Sequence, residues 1–466
     1  MAVDPNSPGS DRSRSGLIVS GLGILIVFFA VRELSPHFLF EADINKTPFV
    51  EFFLLQMLAG GFYLLAVYIL LRRHLEPRGL AIVLVIGLLL RLLLFDTTPI
   101  LEIDYYRYLW DGAVFANGYN PYMSPPIQAG ESELSELALQ SGSVIDRINY
   151  SDLKTIYPPL TQVFFALSYW LDSWNLNAWR SILLFADIAG LLLIMATLKT
   201  LQKPLHWCLI YWWNPLLLQQ TYNAAHMDVL LVAPLVGAIW MLITNRHLLG
   251  SALLTIAAGI KLWPLLLLPF ALRPLLGYPK QLFTAVVVVA SILALTVLPL
   301  LYFGLGEQSG LGSFAQQWQR NSAIFPLLES VISLFTDNPG RSARILIAFI
   351  IFAVVFWLNL SVATCSEVLI QRMLFVIGLL FLLSPAQFPW YAIWFLPLLC
   401  FRPSGALILL TVLMPIYYWK FLFIDRGNPE VFDYGVVWLQ YLPVLTWFAV
   451  ERLSRLRTRR LSLQHV

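Results

Sequence analysis

The stretch EIDYYRYLWDGAVFANGYNPYMSPP, residues 102–126, decides how the rest of the chain is interpreted. It follows a strongly apolar segment that ends near Phe95, so it begins where a membrane helix should reach the water interface. The spacing of its apolar residues, three to four positions apart, predicts a helix that stops at Asn117-Gly118. One side of this helix would be apolar and the other polar, namely Ile103, Tyr106, Trp110, Ala113 and Val114 against Asp104, Arg107, Tyr108 and Asp111. Such a helix is predicted to lie in the headgroup region, with its rings in lipid and its carboxylates in water.

The composition indicates a membrane protein. Apolar residues make up 59% of the 466 residues and charged residues only 12%, whereas a soluble domain carries about 25% charge. The apolar residues form runs of membrane-spanning length, which predicts an all-α integral membrane protein with a single polytopic domain, residues 1–466. A net charge of +3 is too small to indicate a nucleic-acid partner. The three cysteines lack metal-ligand spacing, so neither a disulfide nor a metal site is expected, and no cofactor is predicted.

Hydropathy and basic residues together predict the topology. The apolar segments, which suggest about 12–14 transmembrane helices, are 16–31, 50–71, 79–96, 158–171, 176–198, 205–222, 228–244, 248–270, 281–303, 343–362, 367–384, 389–401, 405–424 and 434–450. Basic residues resist translocation. The chain start, the loop Arg72 to Arg78 and the basic tail 451–466 are therefore predicted to be cytoplasmic. The loops 98–157 and 304–342 are then predicted to be extracytoplasmic.

The middle of this topology has two versions. Strict alternation of every segment puts His226 inside, and it puts Lys199, Lys203 and Arg246 outside. In the second version, segment 158–171 stays on the outer side and segment 248–270 enters and returns as a short hairpin. The second version places the three basic residues in the cytoplasm and both His226 and Lys261 outside, and charge bias favours it.

Three pieces are predicted to meet at the outer end of the bundle. They are the loop that contains Asp104, the turn around Asn223, His226 and Asp228, and the loop 304–342 with Arg320. Ionisable residues at such depth cost several kcal/mol unless they are paired or used, so they are functional candidates.

The order of these motifs resembles a known superfamily. The motifs are D-Y-Y-R-Y-L-W-D-G (104–112), G-Y-N-P-Y (118–122), Y-P-P-L-T (157–161), N-P-L (214–216) and G-I-K-L-W-P (259–264). The region 90–270 is similar to the GT-C superfamily of membrane glycosyltransferases. It most resembles bacterial polyprenyl-phosphate-mannose-dependent mannosyltransferases and the catalytic subunit of the first glycosylphosphatidylinositol mannosyltransferase. Some relatives have Asp-x-Asp where this chain has Glu102-Ile103-Asp104.

The resemblance implies a donor and a reaction. It implies transfer of a sugar, mannose first, from a polyprenyl-phosphate carrier to a hydroxyl of a lipid or glycan acceptor, with inversion, at the extracytoplasmic face of a multi-pass membrane protein. In a bacterium this would be the cell membrane. The chemistry itself needs a base for the acceptor hydroxyl, which a carboxylate supplies. It also needs cationic stabilisation of the departing phosphate, which Arg, Lys or His supplies without a metal.

Each candidate residue also has a structural interpretation. Asp104, the predicted base, is otherwise a solvated loop acid. The residues predicted to bind substrate are Glu102, Arg107, Asp111, Tyr122, His226, Asp228, Lys261 and Arg320. Asp111 is equally interpreted as a partner of Arg107, His226 as a satisfied helix-end histidine, and Arg320 as an ordinary loop arginine.

Two further features complete the prediction. The aromatic residues around Asp104 are interpreted mainly as interfacial anchors, and Asp187 is a possible partner of Arg180. The competing class is a transporter or flippase of a lipid-linked sugar, which should show internal repeats. No corresponding halves are found in the sequence.

Overall fold

The protein is an α-helical bundle. The computed structural model describes residues 8–72 and 77–463, so most of the predicted basic loop and the first seven residues lie outside it. Within the described residues, seven helices are long and apolar enough to cross a membrane: Arg14–His37, Phe49–Arg72, Leu176–Thr200, Pro279–Thr296, Pro339–Leu358, Ser366–Leu383 and Gly405–Asp425. An eighth candidate is the helix pair Pro215–Asn223 and Met227–Ile243, which is bent by 110°. The predicted all-α integral membrane class is confirmed.

The remaining α-helices of the described residues are mostly short, and only some of them coincide with predicted apolar segments. These are Pro77–Leu94, Asp104–Ala116, Ser135–Gln140, Pro159–Leu171, Leu209–Trp212, His247–Ala258, Leu268–Leu272, Leu298–Phe303, Gly310–Gln317, Ile324–Ile332, Leu396–Phe401 and Pro429–Val431, followed by the long C-terminal helix Trp438–Leu463. Proline explains several breaks, because it removes a backbone donor and stops a helix. The described residues contain no named β-strand, only an isolated bridge between Arg320 and Ala386.

A buried ion pair connects the central helices. Arg91 donates from Nε to Asp187 at 2.7 Å, and both side chains are 0% exposed. The hydroxyls of Tyr211 and Tyr222 donate to the same carboxylate at 2.7 and 2.6 Å. The Arg91 guanidinium also lies 3.2 Å from the ring centroid of Trp212. A charge inside an apolar bundle is tolerated only when it is paired in this way.

A second buried arginine fixes the chain that leads into the 102–126 stretch. Arg180 donates to the backbone carbonyls of Phe95 and Thr97 at 2.5 and 2.7 Å, and to that of Asn223 at 3.0 Å. The suggested pairing of Asp187 with Arg180 is therefore wrong, because each has another partner. Helix Leu176–Thr200 carries both residues, so it orients the helix before the stretch and the loop that begins it.

The structure also distinguishes between the two versions of the topology. Asp104 and His226 approach within 3.8 Å, and Lys261 forms an ion pair with Asp228. All four residues therefore lie at one end of the bundle. Strict alternation, which separates His226 from Asp104, is wrong, and the hairpin version agrees with these contacts. The reason is that helices Pro159–Leu171 and His247–Ala258 have only 13 and 12 residues, which is too short to cross a bilayer.

The ion pair predicts a large loss of stability when one partner is removed. We expect Asp187→Asn to lower the free energy of unfolding by about 3–5 kcal/mol, because Arg91 is left buried without its counter-charge. The measurement is unfolding in detergent, with Asp337→Asn at an exposed loop position as the matched control. The double variant Arg91→Met/Asp187→Leu should recover most of the loss, because it leaves no unpaired charge. A loss as large in the double variant as in Asp187→Asn would contradict this account.

Candidate active site

A cavity of about 1000 Å³ lies at the end of the bundle where the ionisable residues meet. The acidic and basic residues that line it are Glu41, Asp96, Glu102, Asp104, Arg107, Arg147, Lys154, Arg180, Lys261, Arg320 and Lys420. Of the predicted site residues, Glu102, Asp104, Arg107, Lys261 and Arg320 therefore reach the cavity. The other four lie behind its lining: Asp111, Tyr122, His226 and Asp228.

The helix Asp104–Ala116, called here the cavity helix, brings Asp104 to this surface. It ends at Ala116 with Asn117 as its C-cap, where the sequence predicted its end. The prediction that its rings lie in lipid is wrong, since Tyr106, Tyr108 and Trp110 are buried in the protein and only 7%, 2% and 2% exposed.

A glycine explains how this helix comes to lie inside the bundle. A Cβ atom at Gly112 would collide with the backbone carbonyl of Phe165 in the neighbouring helix Pro159–Leu171. The absence of a side chain lets the two helices approach closely, and Tyr108 stacks on the Phe165 ring with centroids 4.9 Å apart. The aromatic residues thus pack against protein and position Asp104; they are not anchors in lipid.

Asp104 is the first residue of the cavity helix, and its side chain is 29% exposed. Burial raises the pKa of Asp104 to about 6, although the Asn149 side chain and the charge of Lys261 act in the opposite direction. Burial, and then the charge of Asp104, raise the pKa of Glu102 well above its usual range. Of two neighbouring carboxyl groups, Asp104 is therefore the one that ionises near neutral pH. A pKa near the working pH suits a general base.

Arg107 and Asp111 form an ion pair within the cavity helix, with Nε and Oδ1 2.8 Å apart. Arg107 also donates to the carbonyl of Leu153 at 3.0 Å, and Gln162 donates to Asp111 at 3.4 Å. Asp111 is 1% exposed. The pair connects the cavity helix to the loop that returns beside it, in agreement with the structural interpretation of Asp111.

His226 lies directly beneath the two acids. Its Nε2 is 3.4 Å from Glu102 and its Nδ1 is 3.8 Å from Asp104. Trp390 stacks on the imidazole at 3.6 Å between centroids, and the side chain is 0% exposed. The histidine therefore contacts the acids, while a tryptophan covers it on one side.

Lys261 supplies a positive charge next to the acids. Its Nζ donates to Asp228 at 2.6 Å, and the indole of Trp394 donates to the same oxygen at 2.7 Å. The ammonium lies 4.3 Å from the ring centroid of Tyr391, and 17% of the side chain is exposed. Asp228 is thus the counter-ion that holds Lys261 in place, and the remaining ammonium protons are available to an anion in the cavity.

Arg320 and Tyr122 complete the predicted set. The backbone of Arg320 bonds to Pro385 and Gln387, and one guanidinium nitrogen donates to Gln319. Its side chain borders the cavity. The Tyr122 hydroxyl donates to the carbonyl of Tyr157 at 2.7 Å and shapes the returning loop.

Sequence reasoning missed the aromatic side of the cavity. Phe388, Trp390, Tyr391 and Trp394 all line it. They come from F-P-W-Y-A-I-W, 388–394, which the hydropathy analysis interpreted only as an apolar segment. The available signal was the density of rings with polar edges directly after a proline, since Trp and Tyr seek partners when buried.

Metal ligands and cysteines add little to the site. The described part of the chain contains no group of three or more His, Cys, Asp or Glu residues arranged to hold a metal ion. Cys208 and Cys400 are buried free thiols, and Cys365 is an exposed one.

One comparison with known proteins is informative. A sequence model described as alpha-(1->6)-mannopyranosyltransferase, N-terminal domain, matches residues 20–276. No curated protein and no solved structure matches the chain. Because the matched region is more than half of the 466 residues, the chain belongs to this family. The predicted membrane mannosyltransferase is thereby confirmed, and the protein is a glycosyltransferase that transfers mannose.

Proposed function

We propose that this family member takes mannose from a polyprenyl-phosphate carrier and passes it to a hydroxyl of a lipid or glycan acceptor, with Asp104 as the general base. The observation that carries the proposal is the position of Asp104, a partly exposed carboxylate at the cavity surface whose pKa is raised to about 6. The charge of Lys261 acts on this carboxylate, and the cavity is large enough for a sugar and its phosphate.

The reaction follows from these groups. Asp104 takes the proton of the acceptor hydroxyl as the oxygen attacks the anomeric carbon of mannose. The bond from this carbon to the phosphate oxygen breaks, and the leaving phosphate gains negative charge. Lys261 and Arg320 stabilise that charge. Direct displacement inverts the anomeric carbon, so an alpha product of the kind in the family's description requires a beta-linked donor.

The other predicted residues support Asp104, Lys261 and Arg320. Glu102 and Arg107 border the substrate in the cavity. Three others lie outside the cavity surface and fix residues that line it. Asp111 pairs with Arg107, Asp228 pairs with Lys261, and Tyr122 bonds to the returning loop. We keep the proposal that 98–157 is the catalytic loop and 304–342 the second loop over the same cavity. Both would face the extracytoplasmic side of a single polytopic domain, with the tail 451–466 in the cytoplasm.

The proposed base predicts a defined effect of one substitution. Asp104→Asn should lower kcat by about 100- to 10,000-fold, because the amide is nearly isosteric but cannot accept the proton. The wild-type rate should fall about tenfold per pH unit below pH 6, where Asp104 becomes protonated, and it should level off above that pH. The residual rate of Asp104→Asn should lack this dependence.

The control for this test is Asp152→Asn, an exposed acid on the same loop. Asp111→Asn, assayed in parallel, examines the other carboxylate of the cavity helix. A nearly normal rate in Asp104→Asn together with loss in Asp111→Asn would identify Asp111 as the base and reject the proposal for Asp104.

The donor is tested with purified protein in lipid nanodiscs. We expect transfer from polyprenyl-phosphate mannose and none from a nucleotide-linked mannose. Lys261→Gln should lower donor use by about 100- to 1000-fold and leave the KM of the acceptor nearly unchanged, because it removes a phosphate contact. Lys261→Gln leaves Asp228 without its counter-charge. The double variant Lys261→Gln/Asp228→Asn, which removes both charges, is therefore assayed beside it. Normal donor use in this folded double variant would exclude Lys261 as a phosphate ligand.

The orientation is tested by cysteine labelling in intact cells. Gly130 is exposed, with open space around it, so Gly130→Cys in a Cys365→Ser background should react with a membrane-impermeant maleimide. Native Cys365 follows helix Pro339–Leu358 at the other end of the bundle and should react only after the cells are opened. Labelling of Cys365 but not of Gly130→Cys would place the cavity on the cytoplasmic side.

A further inference from the structure

The imidazole of His226 lies between two carboxyl groups, and each of its nitrogens is close to one of them. Nε2 is 3.4 Å from Oε2 of Glu102, and Nδ1 is 3.8 Å from Oδ2 of Asp104. The Tyr108 hydroxyl is 3.3 Å from Nδ1. Trp390 stacks on the ring and fixes its plane.

Two atoms of this group have unused hydrogen-bonding capacity. Among the described residues, neither Nε2 of His226 nor Oε1 of Glu102 has a hydrogen-bond partner. A buried polar atom without a partner is energetically unfavourable and needs an explanation. A small rotation of the Glu102 carboxyl group would turn the 3.4 Å contact into a hydrogen bond with Nε2. The other ionisable groups that interact with these three side chains are Arg107, Tyr108, Tyr157, Asp228, Lys261, Tyr391, Tyr417 and Tyr418.

The charges select one arrangement of protons. Two ionised carboxylates beside one buried imidazole would repel each other, so one of them is best held neutral. Glu102 is the more buried, with 6% of its surface exposed, while the Asp104 side chain is 29% exposed. A neutral Glu102 can donate towards Nε2, and the ring proton then belongs on Nδ1, the nitrogen that lies 3.3 Å from the Tyr108 hydroxyl and 3.8 Å from the Asp104 carboxylate.

We propose that Glu102 and His226 position the base: the protonated Glu102 carboxyl donates to Nε2 of His226, which holds the imidazole with its proton on Nδ1, facing Asp104. The ring proton orients the Asp104 carboxylate towards the cavity and stabilises its ionised form. Both are positioning residues, because they act through Asp104. This inference rests on the proposed role of Asp104, and it gives Glu102 a role that needs a donor and no negative charge.

The test compares isosteric substitutions at Glu102. Glu102→Gln retains a donor for Nε2, so the inflection of its pH profile should stay near pH 6. Glu102→Leu has no donor, so the ring proton that faces the ionised Asp104 carboxylate is no longer held on Nδ1. The inflection should then move up by about one pH unit, which lowers the rate at pH 6 by about fivefold.

His226 provides an independent pair of variants. The amide of Asn occupies the place of Nδ1 and that of Gln the place of Nε2. His226→Asn should therefore keep the inflection near pH 6, whereas His226→Gln should raise it. A purely structural role for the histidine would change protein yield and thermal stability in both variants without moving the pH profile of the folded enzyme.

The outcomes separate this inference from the proposed function. If Asp104→Asn is inactive but Glu102→Gln is as inactive as Glu102→Leu, Glu102 is needed as a carboxylate and the positioning chain is wrong, while the base assignment survives. Unmoved inflections in both Glu102→Leu and His226→Gln would also overturn it. An active Asp104→Asn would instead reject the base itself.

Discussion

The ion pair between Arg91 and Asp187 is the interaction on which the bundle depends. Two opposite charges without solvent exposure are stabilised here by two tyrosine hydroxyls, a tryptophan ring and two backbone carbonyls that accept from Arg91. Less than two turns earlier on the same helix, Arg180 donates hydrogen bonds to the carbonyls of the chain that enters the cavity. Helix Leu176–Thr200 therefore sets both the direction of the preceding helix and the start of the loop with the acids. The geometry of the candidate site is thus a consequence of how buried charges are paired.

The cavity itself is formed by both halves of the chain. The region up to residue 276 provides the acids and Lys261, and the rest of the chain provides the aromatic residues 388–394 and Arg320. Within that later part, the backbone of Arg320 pairs with the segment around Ala386, which keeps Arg320 next to the aromatic residues. Trp390 and Trp394 contact the two central site residues of the first half, His226 and Asp228. The aromatic segment consequently orders the acidic group as well as covering it.

The sequence was sufficient for the class, the family resemblance and the helix that begins at Asp104, because hydropathy and helical period are local properties. It was insufficient for the surroundings of that helix. An amphipathic pattern cannot tell whether its apolar side meets lipid or protein, and the deciding residue, Gly112, has a role only once Phe165 is known to approach it. The same applies to Arg91 and to 388–394, whose partners lie about a hundred residues or more away along the chain. Contacts of that kind leave no periodic signal.

The division of the cavity between the halves has an evolutionary consequence. The acids and the lysine lie within the matched region 20–276, whereas the aromatic residues lie outside it. On the proposed mechanism, substitutions among the rings would reshape the space offered to an acceptor and leave the Asp104 carboxylate itself unchanged. Selection could then alter acceptor recognition in one part of the gene while the proposed base is preserved in the other. His226 lies inside the matched region and Trp390 outside it. Because the two rings stack, a substitution at one must remain compatible with the other.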